Sequence, residues 1–461
     1  MFCFYFPLQC LGLVLLITAT TNVKSFLLDT VQVEPCQYTS SDVTCTSRGL
    51  NQVPVFNVSG GPCGYLFRVD VSNNAITRVN DDAFAAFQNC SNLIISLAVN
   101  NISHISDFAF RGIEGSTTHL NLSDNDFDTI PNAVGTLLKL SKLEMLNNPL
   151  VTFDPHVLAN IGRTLNTLYI SMGSLLHWPA ELYFLRELKT LYISNMNFEH
   201  INTDAFQGLS KVQYLTIDHS QLLTVSSAVC QLTNLYILAL KNNYNFHNSL
   251  NNVFDRCSTK KLNIGHLIFI NNNVDFFPNI HAMIESVYGI HMENNNMQFM
   301  DKDTLSYDNR TNGISLAYNT FTRVPTGLYL FENLLYLTLS YNKITYVHDT
   351  DLAGLRMLRT LSLNGNPIRF ITKNSFADNT ILATIDLSNT LLTQIPEAVT
   401  SISSLNSLDL SELNIGCTCK MSNLKSWNIT NVHFGQAKCY QTDELIEDFL
   451  ESYIDTGRCT I

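Results

Sequence analysis

The residues with the clearest chemical potential in this chain are its twelve cysteines. Thiols at short spacing, as at Cys417 and Cys419, either bind a metal ion or form disulfides. Cys3 and Cys10 lie in an apolar N-terminal stretch, and the remaining ten cysteines are an even number. An even set is typical of disulfides in an oxidising compartment. We therefore predict disulfides, and we expect neither a metal site nor a cofactor.

Histidines and carboxylates, the usual groups of acid–base catalysis, form no recognisable catalytic motif. The sequence holds no H-E-x-x-H, G-x-S-x-G, P-loop or dinucleotide-binding pattern, and its twelve histidines are scattered. Asp386 and Asp409 recur at equivalent positions of the repeat described below, which explains them better than paired acid–base chemistry does. We therefore predict that the chain is not an enzyme.

The N-terminal segment predicts export from the cell. Met1 to Ala19 are nearly all apolar, and small and polar residues follow up to Ser25. This pattern is typical of a secretory signal peptide over residues 1–25, with an uncleaved membrane anchor as the alternative. No other apolar run is long enough to cross a membrane. Six N-x-[ST] sequons also favour a secreted or extracellular chain. They begin at Asn57, Asn89, Asn101, Asn121, Asn309 and Asn428.

The overall composition is that of a folded, acidic chain. Hydrophobic residues make up 46% of the sequence, charged residues make up 14%, and the formal net charge is -12. The low charged fraction argues against disorder. Because an acidic surface repels phosphate groups, we expect no nucleic-acid partner.

One pattern, LxxLxLxxNxL, recurs along most of the chain. Residues 334–344 and 358–368 both match it. Fifteen copies follow one another at intervals of 23 to 26 residues, apart from one interval of 29, and Asn fills its column in ten of them. The copies begin at residues 66, 92, 117, 140, 165, 188, 212, 235, 264, 287, 311, 334, 358, 382 and 405. This period, with Pro and Asn at fixed places, excludes a coiled coil or a helical array.

The copies must stack, because a single one cannot bury its own apolar face. Alternating residues such as Leu337 and Leu339 predict a short strand with one inward face. The Asn column can bond buried backbone groups at the turn after each strand. A Phe column is expected to anchor the opposite side in the core, at Phe84, Phe110, Phe206 and Phe376. We predict an α/β solenoid of about 15 repeats, a horseshoe with a parallel concave sheet roughly 70 Å along its arc.

The repeat register predicts which strand residues face outward on the concave side. Near the middle of the chain these are large aromatic or aliphatic residues, whereas flanking copies carry small polar ones. A contiguous exposed patch of this kind usually marks a binding site, although Tyr is also simply a good strand residue. The candidate ligand-binding residues are Tyr169, Tyr192, Tyr214, Ile237, His266, Ile268, Ile270 and His291. A glycan on Asn121 would push a partner away from the N-terminal part of this face.

Stacking also suggests disulfide partners. Cys63 and Cys90 lie just before successive repeat starts, at nearly equivalent positions, so they should come within disulfide range. With Cys63 and Cys90 paired, elimination favours a disulfide between Cys36 and Cys45. Cys230 and Cys257 are one coil apart but agree less well in register. For them we weigh a disulfide against a buried free thiol at Cys230, because Cys230 falls in the Phe column.

The two ends of the repeat array resemble the cysteine caps of extracellular leucine-rich-repeat proteins. Cys36-x8-Cys45 resembles the N-terminal cap, reduced from the usual four cysteines. The C-x-C at Cys417, followed by Trp427, Cys439 and Cys459, resembles the C-terminal cap, although the usual aromatic residue before it is missing. The resemblance implies the pairs Cys417–Cys439 and Cys419–Cys459. It also implies caps over residues 26–64 and 416–461 around a solenoid over residues 65–415.

The repeat type, as in 204–209 (DAFQGL), is similar to that of Toll-type ectodomains, Slit proteins and lamprey variable lymphocyte receptors. The resemblance implies binding of microbial products, guidance proteins or antigens. We expect a secreted or cell-surface protein that binds a protein or glycan on its concave face, foremost in innate-immune recognition. The alternatives are an adhesion, guidance or matrix protein that binds host proteins, and an enzyme inhibitor. Because no membrane span follows Cys459, we expect a repeat-only binder or a membrane co-receptor, and homodimerisation is compatible with either.

Overall fold

The computed structural model describes residues 35–56, 67–249, 252–258, 260–302, 305–425, 427, 432–440, 442–456 and 458. The predicted signal peptide and residues Asn57, Cys63, Asn428 and Cys459 lie outside the described residues. The features below belong to one compact unit, Cys36–Ile461.

Short strands form where apolar residues alternate, because a pleated strand turns successive side chains to opposite faces. In the strand 336–338, for example, Leu337 is buried between two less buried neighbours. The strands are β1 Gln37–Tyr38, β2 Asp42–Thr44, β3 Phe67–Asp70, β4 Arg78–Val79, β5 Leu93–Ser96, β6 His104–Ile105, β7 Thr117–Asn121, β8 Lys142–Met145, β9 Thr167–Ser171, β10 Thr190–Ser194, β11 Tyr214–Asp218, β12 Ile237–Lys241, β13 Leu262–Ile270, β14 Ile284–His291, β15 Gly313–Ser315, β16 Tyr336–Thr338, β17 Tyr346–Val347, β18 Thr360–Ser362, β19 Phe370–Ile371, β20 Thr384–Asp386 and β21 Ser407–Asp409.

Within the described residues, 17 of these strands form one sheet. β1 pairs antiparallel with β2, and from β2 onward each strand of the sheet pairs in parallel with the strand of the next coil. Equivalent repeat positions lie side by side, so Leu191 of β10 pairs with Leu168 of β9 and Leu215 of β11. The pairs β4–β6 and β17–β19 form two small parallel sheets of their own. The predicted α/β solenoid with a parallel sheet is confirmed.

The segments that return from one strand to the next are mostly short 3-10 helices. Pro stands directly before several of them, where its missing N–H and fixed φ are tolerated. The described residues include two α-helices, α1 Pro155–Ile161, capped by Asp154, and α2 Ile446–Phe449. The 3-10 helices are Ala85–Phe87, Asn132–Thr136, Ala180–Phe184, Ser227–Gln231, Tyr244–Ser249, Ile280–Ala282, Thr326–Leu330, Glu397–Ser401 and Cys419–Leu424, and a π-helical turn spans Leu450–Asp455.

The core is one continuous layer between the sheet and the return segments. The Phe column predicted from the sequence is buried at all four positions, and the Phe84 and Phe110 rings stack 5.8 Å apart. Each coil therefore buries its apolar face against the coils on either side, as a solenoid requires.

Asparagine side chains tie the coils together at the turn after each strand. Asn342 Nδ2 donates to the carbonyl oxygens of Leu316 in the preceding coil (2.9 Å) and Leu339 in its own coil (3.0 Å), and its Oδ1 accepts from the backbone N–H of Phe321 (3.1 Å). The predicted role of the Asn column is confirmed here and in other coils, at Asn100, Asn125, Asn148, Asn272, Asn295, Asn319 and Asn366. Gly173, Met196, Ser220, Thr390 and Leu413 replace Asn in the remaining copies. Gly173 and Met196 stand in successive coils, and neither has a side chain that can donate a hydrogen bond there.

Three disulfides lie within the described residues, and their partners are those expected from the sequence. They join Cys36 to Cys45, Cys230 to Cys257 and Cys417 to Cys439, with Cα atoms 4.2, 5.9 and 5.4 Å apart. Cys90 and Cys419 are also disulfide-bonded, and the partners expected for them, Cys63 and Cys459, lie outside the described residues. Cys230 is therefore bonded rather than a free buried thiol.

Across the described part of the chain, no helix combines the length and apolar character that spanning a membrane needs.

Candidate binding face

The face of the sheet that points away from the core carries all eight residues predicted for ligand binding. They lie on six successive strands: Tyr169 on β9, Tyr192 on β10, Tyr214 on β11, Ile237 on β12, His266, Ile268 and Ile270 on β13, and His291 on β14. Their side chains are partly exposed, and the intervening strand residues, such as Leu191 and Leu267, are buried. We call these eight residues the central patch.

The strand register brings the members of the central patch together in rows across the coils. Tyr214, Ile237 and His266 are consecutive partners in one row. Tyr169 pairs with Tyr192 in a second row, and their rings lie 5.3 Å apart. Ile268 pairs with His291 farther along that second row, beyond Thr216 and Ala239.

Ile270 occupies the end of its strand, beside Lys241 of β12. It is the member of the patch farthest along the strand direction.

Two further tyrosines, Tyr236 and Tyr288, belong to the same cluster but were not predicted. Each is about half exposed. The Tyr236 ring lies 6.3 Å from Tyr214 and 6.0 Å from His266, and the Tyr288 ring lies 6.2 Å from His266. His266 is therefore the centre of an aromatic cluster that also includes His291, 5.6 Å away.

Glycines in the strands make room for this cluster. A Cβ atom on Gly289 would stand 2.5 Å from Nδ1 of His266, and one on Gly265 would collide with the Tyr236 ring. Glycine inside a strand is otherwise unfavourable and often marks a close approach. These two glycines are the sequence signal that could have pointed to the additional rings.

Charged side chains border the patch on its N-terminal side. Lys142 Nζ lies 4.9 Å from the centre of the Tyr169 ring, a cation–π contact, and it also pairs with Glu144. This pair also lines a groove of about 380 Å³, together with His119 and Asn121 among others. Burial lowers the pKa of His119, and the positive charge of Lys142 lowers it further. The sequon Asn121 therefore lies beside the patch on the same face.

A hydrogen bond fixes Tyr192 of the second row. The Tyr192 hydroxyl donates to Oδ2 of Asp218 at 2.5 Å, and the same carboxylate accepts from Nδ2 of Asn242 at 2.7 Å. Burial and the bond to Asp218 both raise the pKa of Tyr192, so the phenol stays protonated and oriented. The ring is thus held in place before any ligand arrives.

At the other end of the patch, the environment of His266 favours the neutral imidazole. Burial lowers the pKa of His266, and nearby His291 lowers it further. Nδ1 of His291 lies 3.5 Å from a carboxylate oxygen of Glu293. Burial disfavours the ionised form of Glu293, but hydrogen bonds from His291 and Ser315 outweigh that effect and leave its pKa below the ordinary value.

The chemistry of this face suits the binding of a partner. Its exposed atoms are mainly aromatic and aliphatic, with hydroxyl and imidazole groups between them, which is the composition of interface hot spots. In the part of the chain that the structure describes, no three His, Cys, Asp or Glu side chains are placed to hold a metal ion.

Sequence comparison matches the chain to leucine-rich repeats along more than half of its length. The Leucine rich repeat family matches residues 163–222, 186–244, 309–368 and 358–415, and the BspA type Leucine rich repeat region (6 copies) matches residues 63–174. Lumican of Bos taurus is 24% identical over 245 residues, which are 51% of this chain and 67% of lumican. Adenylate cyclase of Schizosaccharomyces pombe is 22% identical over 337 residues, but the match spans only 19% of that protein.

Solved structures share the same fold at low sequence identity. An LRR protein of Leptospira interrogans superposes with a TM-score of 0.50 at 18% identity, covering 85% of this chain and 95% of that one. Toll, in its complex with Spatzle, superposes with a TM-score of 0.52 at 16% identity, covering 76% of this chain and 54% of that one. The chain therefore belongs to the leucine-rich-repeat proteins, in the class whose solenoid carries cysteine caps.

Proposed function

We propose that this chain is an extracellular binding protein that holds a protein ligand on the central patch and catalyses no reaction. The observation that carries the proposal is the cluster of rings around His266, together with the neighbouring Tyr169–Tyr192 pair, on six adjacent strands. Aromatic residues in contact with one another supply large apolar area with little conformational freedom to lose.

A protein ligand suits the patch better than a glycan does. The Tyr192 hydroxyl is already bonded to Asp218, and the remaining surface between the rings is aliphatic at Ile237 and Ile268. A glycan needs many free donors and acceptors, whereas an apolar protein anchor needs a rigid apolar surface with a polar border. Lys142 and Glu144 supply that border on one side.

For the biological role we favour innate-immune recognition, with a matrix or adhesion role as the second candidate. The first is supported by the shared fold with Toll in its complex with Spatzle, a complex described as a molecular hub in Drosophila development and innate immunity. The second is supported by the sequence similarity to lumican. The predicted signal peptide and sequons support secretion in either case, with the chain acting freely or as a membrane co-receptor.

The experiment that tests the binding site uses the secreted chain as bait. Host ectodomains and microbial surface components are presented in parallel, and the captured partner is measured by surface plasmon resonance. We expect the double variant Tyr169→Ala and Tyr192→Ala to weaken binding by tenfold or more, about 1.4 kcal/mol.

Tyr336→Ala is the matched control, because Tyr336 is an exposed tyrosine on the same sheet face and lies three coils beyond His266 in the register. The Tyr336→Ala variant should bind the partner with an affinity within about twofold of that of the unmodified chain. Unchanged binding in the double variant, or equal loss in the control, would show that the ligand does not bind at the central patch. A microbial partner favours the immune role, and a host matrix protein favours the alternative.

A further inference from the structure

A second groove lies on the flank of the solenoid, past the ends of the strands. It has a volume of about 770 Å³, within the size range of small-ligand sites. Its lining comes from four successive coils. In each coil the lining residues stand one or three residues after the asparagine of the Asn column, and Phe299 is the one aromatic addition. The lining residues are Asn273, Asp275, Asn296, Gln298, Phe299, Thr320, Thr322 and Lys343. None of them belongs to the central patch.

One aromatic ring is available in this groove. Phe299 is 49% exposed. It has no ring or cation partner within the described residues. A phenyl face that no protein group covers is free to pack against the apolar face of a ligand.

The polar side chains around Phe299 are also unused. Asp275, Gln298 and Thr322 make no side-chain hydrogen bond or ion pair with other described residues, and the same holds for Lys343. Together they offer an acceptor, an amide that both donates and accepts, a hydroxyl and a donor. Neighbouring side chains are fixed, since Asn296 donates to Asn273 and Thr320 donates to the Asn296 carbonyl oxygen at 2.8 Å.

We propose that this groove binds a neutral oligosaccharide. A sugar ring has one apolar C–H face, which suits Phe299, and hydroxyls that donate and accept at once, which suit the mixed polar lining. The charges of Asp275 and Lys343 balance, so the groove favours neither an anion nor a cation. Because equivalent side chains repeat about every 4.8 Å along the coils, the sugar chain lies along the solenoid axis.

A protein ligand fits this groove less well than it fits the central patch. The groove offers one exposed apolar residue, whereas protein hot spots combine several in a dry centre. Its unbonded polar groups would have to be desolvated and individually matched by a protein surface. A hydroxylated ligand satisfies them directly.

The test is isothermal titration calorimetry of the full secreted chain with maltohexaose, cellohexaose, mannohexaose and chitohexaose, and with a heparin hexasaccharide as the anionic probe. We expect at least one neutral hexasaccharide to bind, and Phe299→Ala to weaken that binding by about tenfold or more. Gln298→Ala, which removes only polar contacts at an exposed residue, should weaken it by about threefold or more.

Phe370→Ala is the matched control. Phe370 is a similarly exposed phenylalanine, 55%, at the equivalent repeat position in a later coil and outside the groove. It should change the affinity by less than about twofold, as should the double variant Tyr169→Ala and Tyr192→Ala. Three results would overturn the proposal: no binding of any neutral hexasaccharide, tighter binding of heparin than of all of them, or equal losses in Phe299→Ala and Phe370→Ala.

Discussion

Val99 stands where the backbone turns after a strand, with a φ of 56° in the left-handed region. The equivalent positions of other coils mostly carry Asn, Asp or Gly, such as Asn73, Asp124 and Gly365. A β-branched side chain is unfavourable in this region, whereas Asn adopts it readily. We predict that Val99→Asn stabilises the fold by roughly 1 kcal/mol, measured by urea unfolding.

Val151→Asn is the control for this prediction. Val151 is also an exposed valine, but its φ is not positive. The same change there should leave the free energy of unfolding nearly unaltered, because no backbone strain is relieved. A similar gain from both substitutions would assign the effect to surface polarity instead of the turn.

We expect buried His281 to make the stability of the solenoid depend on pH. It is nearly fully buried, and burial lowers its pKa below the ordinary value of 6.5, although the charges of Asp308 and Glu285 act in the opposite direction. The unfolded chain therefore binds more protons than the folded chain once the pH falls below about 6.5. The stability contributed by neutral His281 is present above that pH and is lost as the pH falls.

We predict that the free energy of unfolding decreases between pH 7.5 and pH 5.5, and that His281→Gln makes this decrease smaller. The quantity compared is the change in the free energy of unfolding per pH unit, so a general loss of stability in the variant does not affect the comparison. Part of the pH dependence of stability should remain in the His281→Gln variant, because the pKa values of His119 and His266 are lowered as well. His156→Gln, at an exposed histidine, serves as the control and should have the same pH slope as the unmodified chain. If His281→Gln also has that slope, His281 is not the cause of the pH dependence.

At the scale of strands and turns, the sequence predicts most of what the structure contains. The period-two alternation marks which face of each strand is buried, as at Leu191 and Tyr192. The Asn column is readable because only a short amide side chain can bond the backbone of two coils at once, as Asn342 does. Both signals are local in the chain, and this is why they can be recognised without a structure.

The extent of the candidate site is less predictable, because it depends on contacts between coils. Tyr236 and Tyr288 precede the alternating positions, so the repeat gives no reason to place them beside His266. The contact between Lys142 and Tyr169 depends on two side-chain directions in neighbouring coils. The flank groove around Phe299 has the same origin, since its lining is drawn from four coils and lies outside the strands.

For the whole molecule, the gap in the Asn column at Gly173 and Met196 has a further consequence. A solenoid is stabilised by its individual coils and by the contacts between neighbours. In these two coils the side-chain links through the buried amide are missing, and Asn197 replaces them in part by donating to the Gly173 carbonyl oxygen at 2.5 Å. Because the buried amide bonds the preceding coil, as Asn342 does, the connections of β9 to β8 and of β10 to β9 should be the weakest in the central array.

We predict that hydrogen exchange followed by mass spectrometry, in low concentrations of urea, will divide the solenoid at this gap. Amides on either side of β9 should become exposed at different urea concentrations. Amides across the coils of β15 and β16, where Asn319 and Asn342 are both present, should become exposed together. A single exchange transition for the whole array, or a boundary far from β9, would contradict the prediction.

This gap directly follows the two strands that present Tyr169 and Tyr192. Pulled from its ends, the solenoid would yield first at this junction, since one-dimensional arrays give way at their weakest interface. A ligand bound to both tyrosines would bridge the junction. Because such a ligand binds only while the two coils are packed together, it would raise the force needed to separate them. The partner of this protein would thus set its resistance to force as well as occupy its surface.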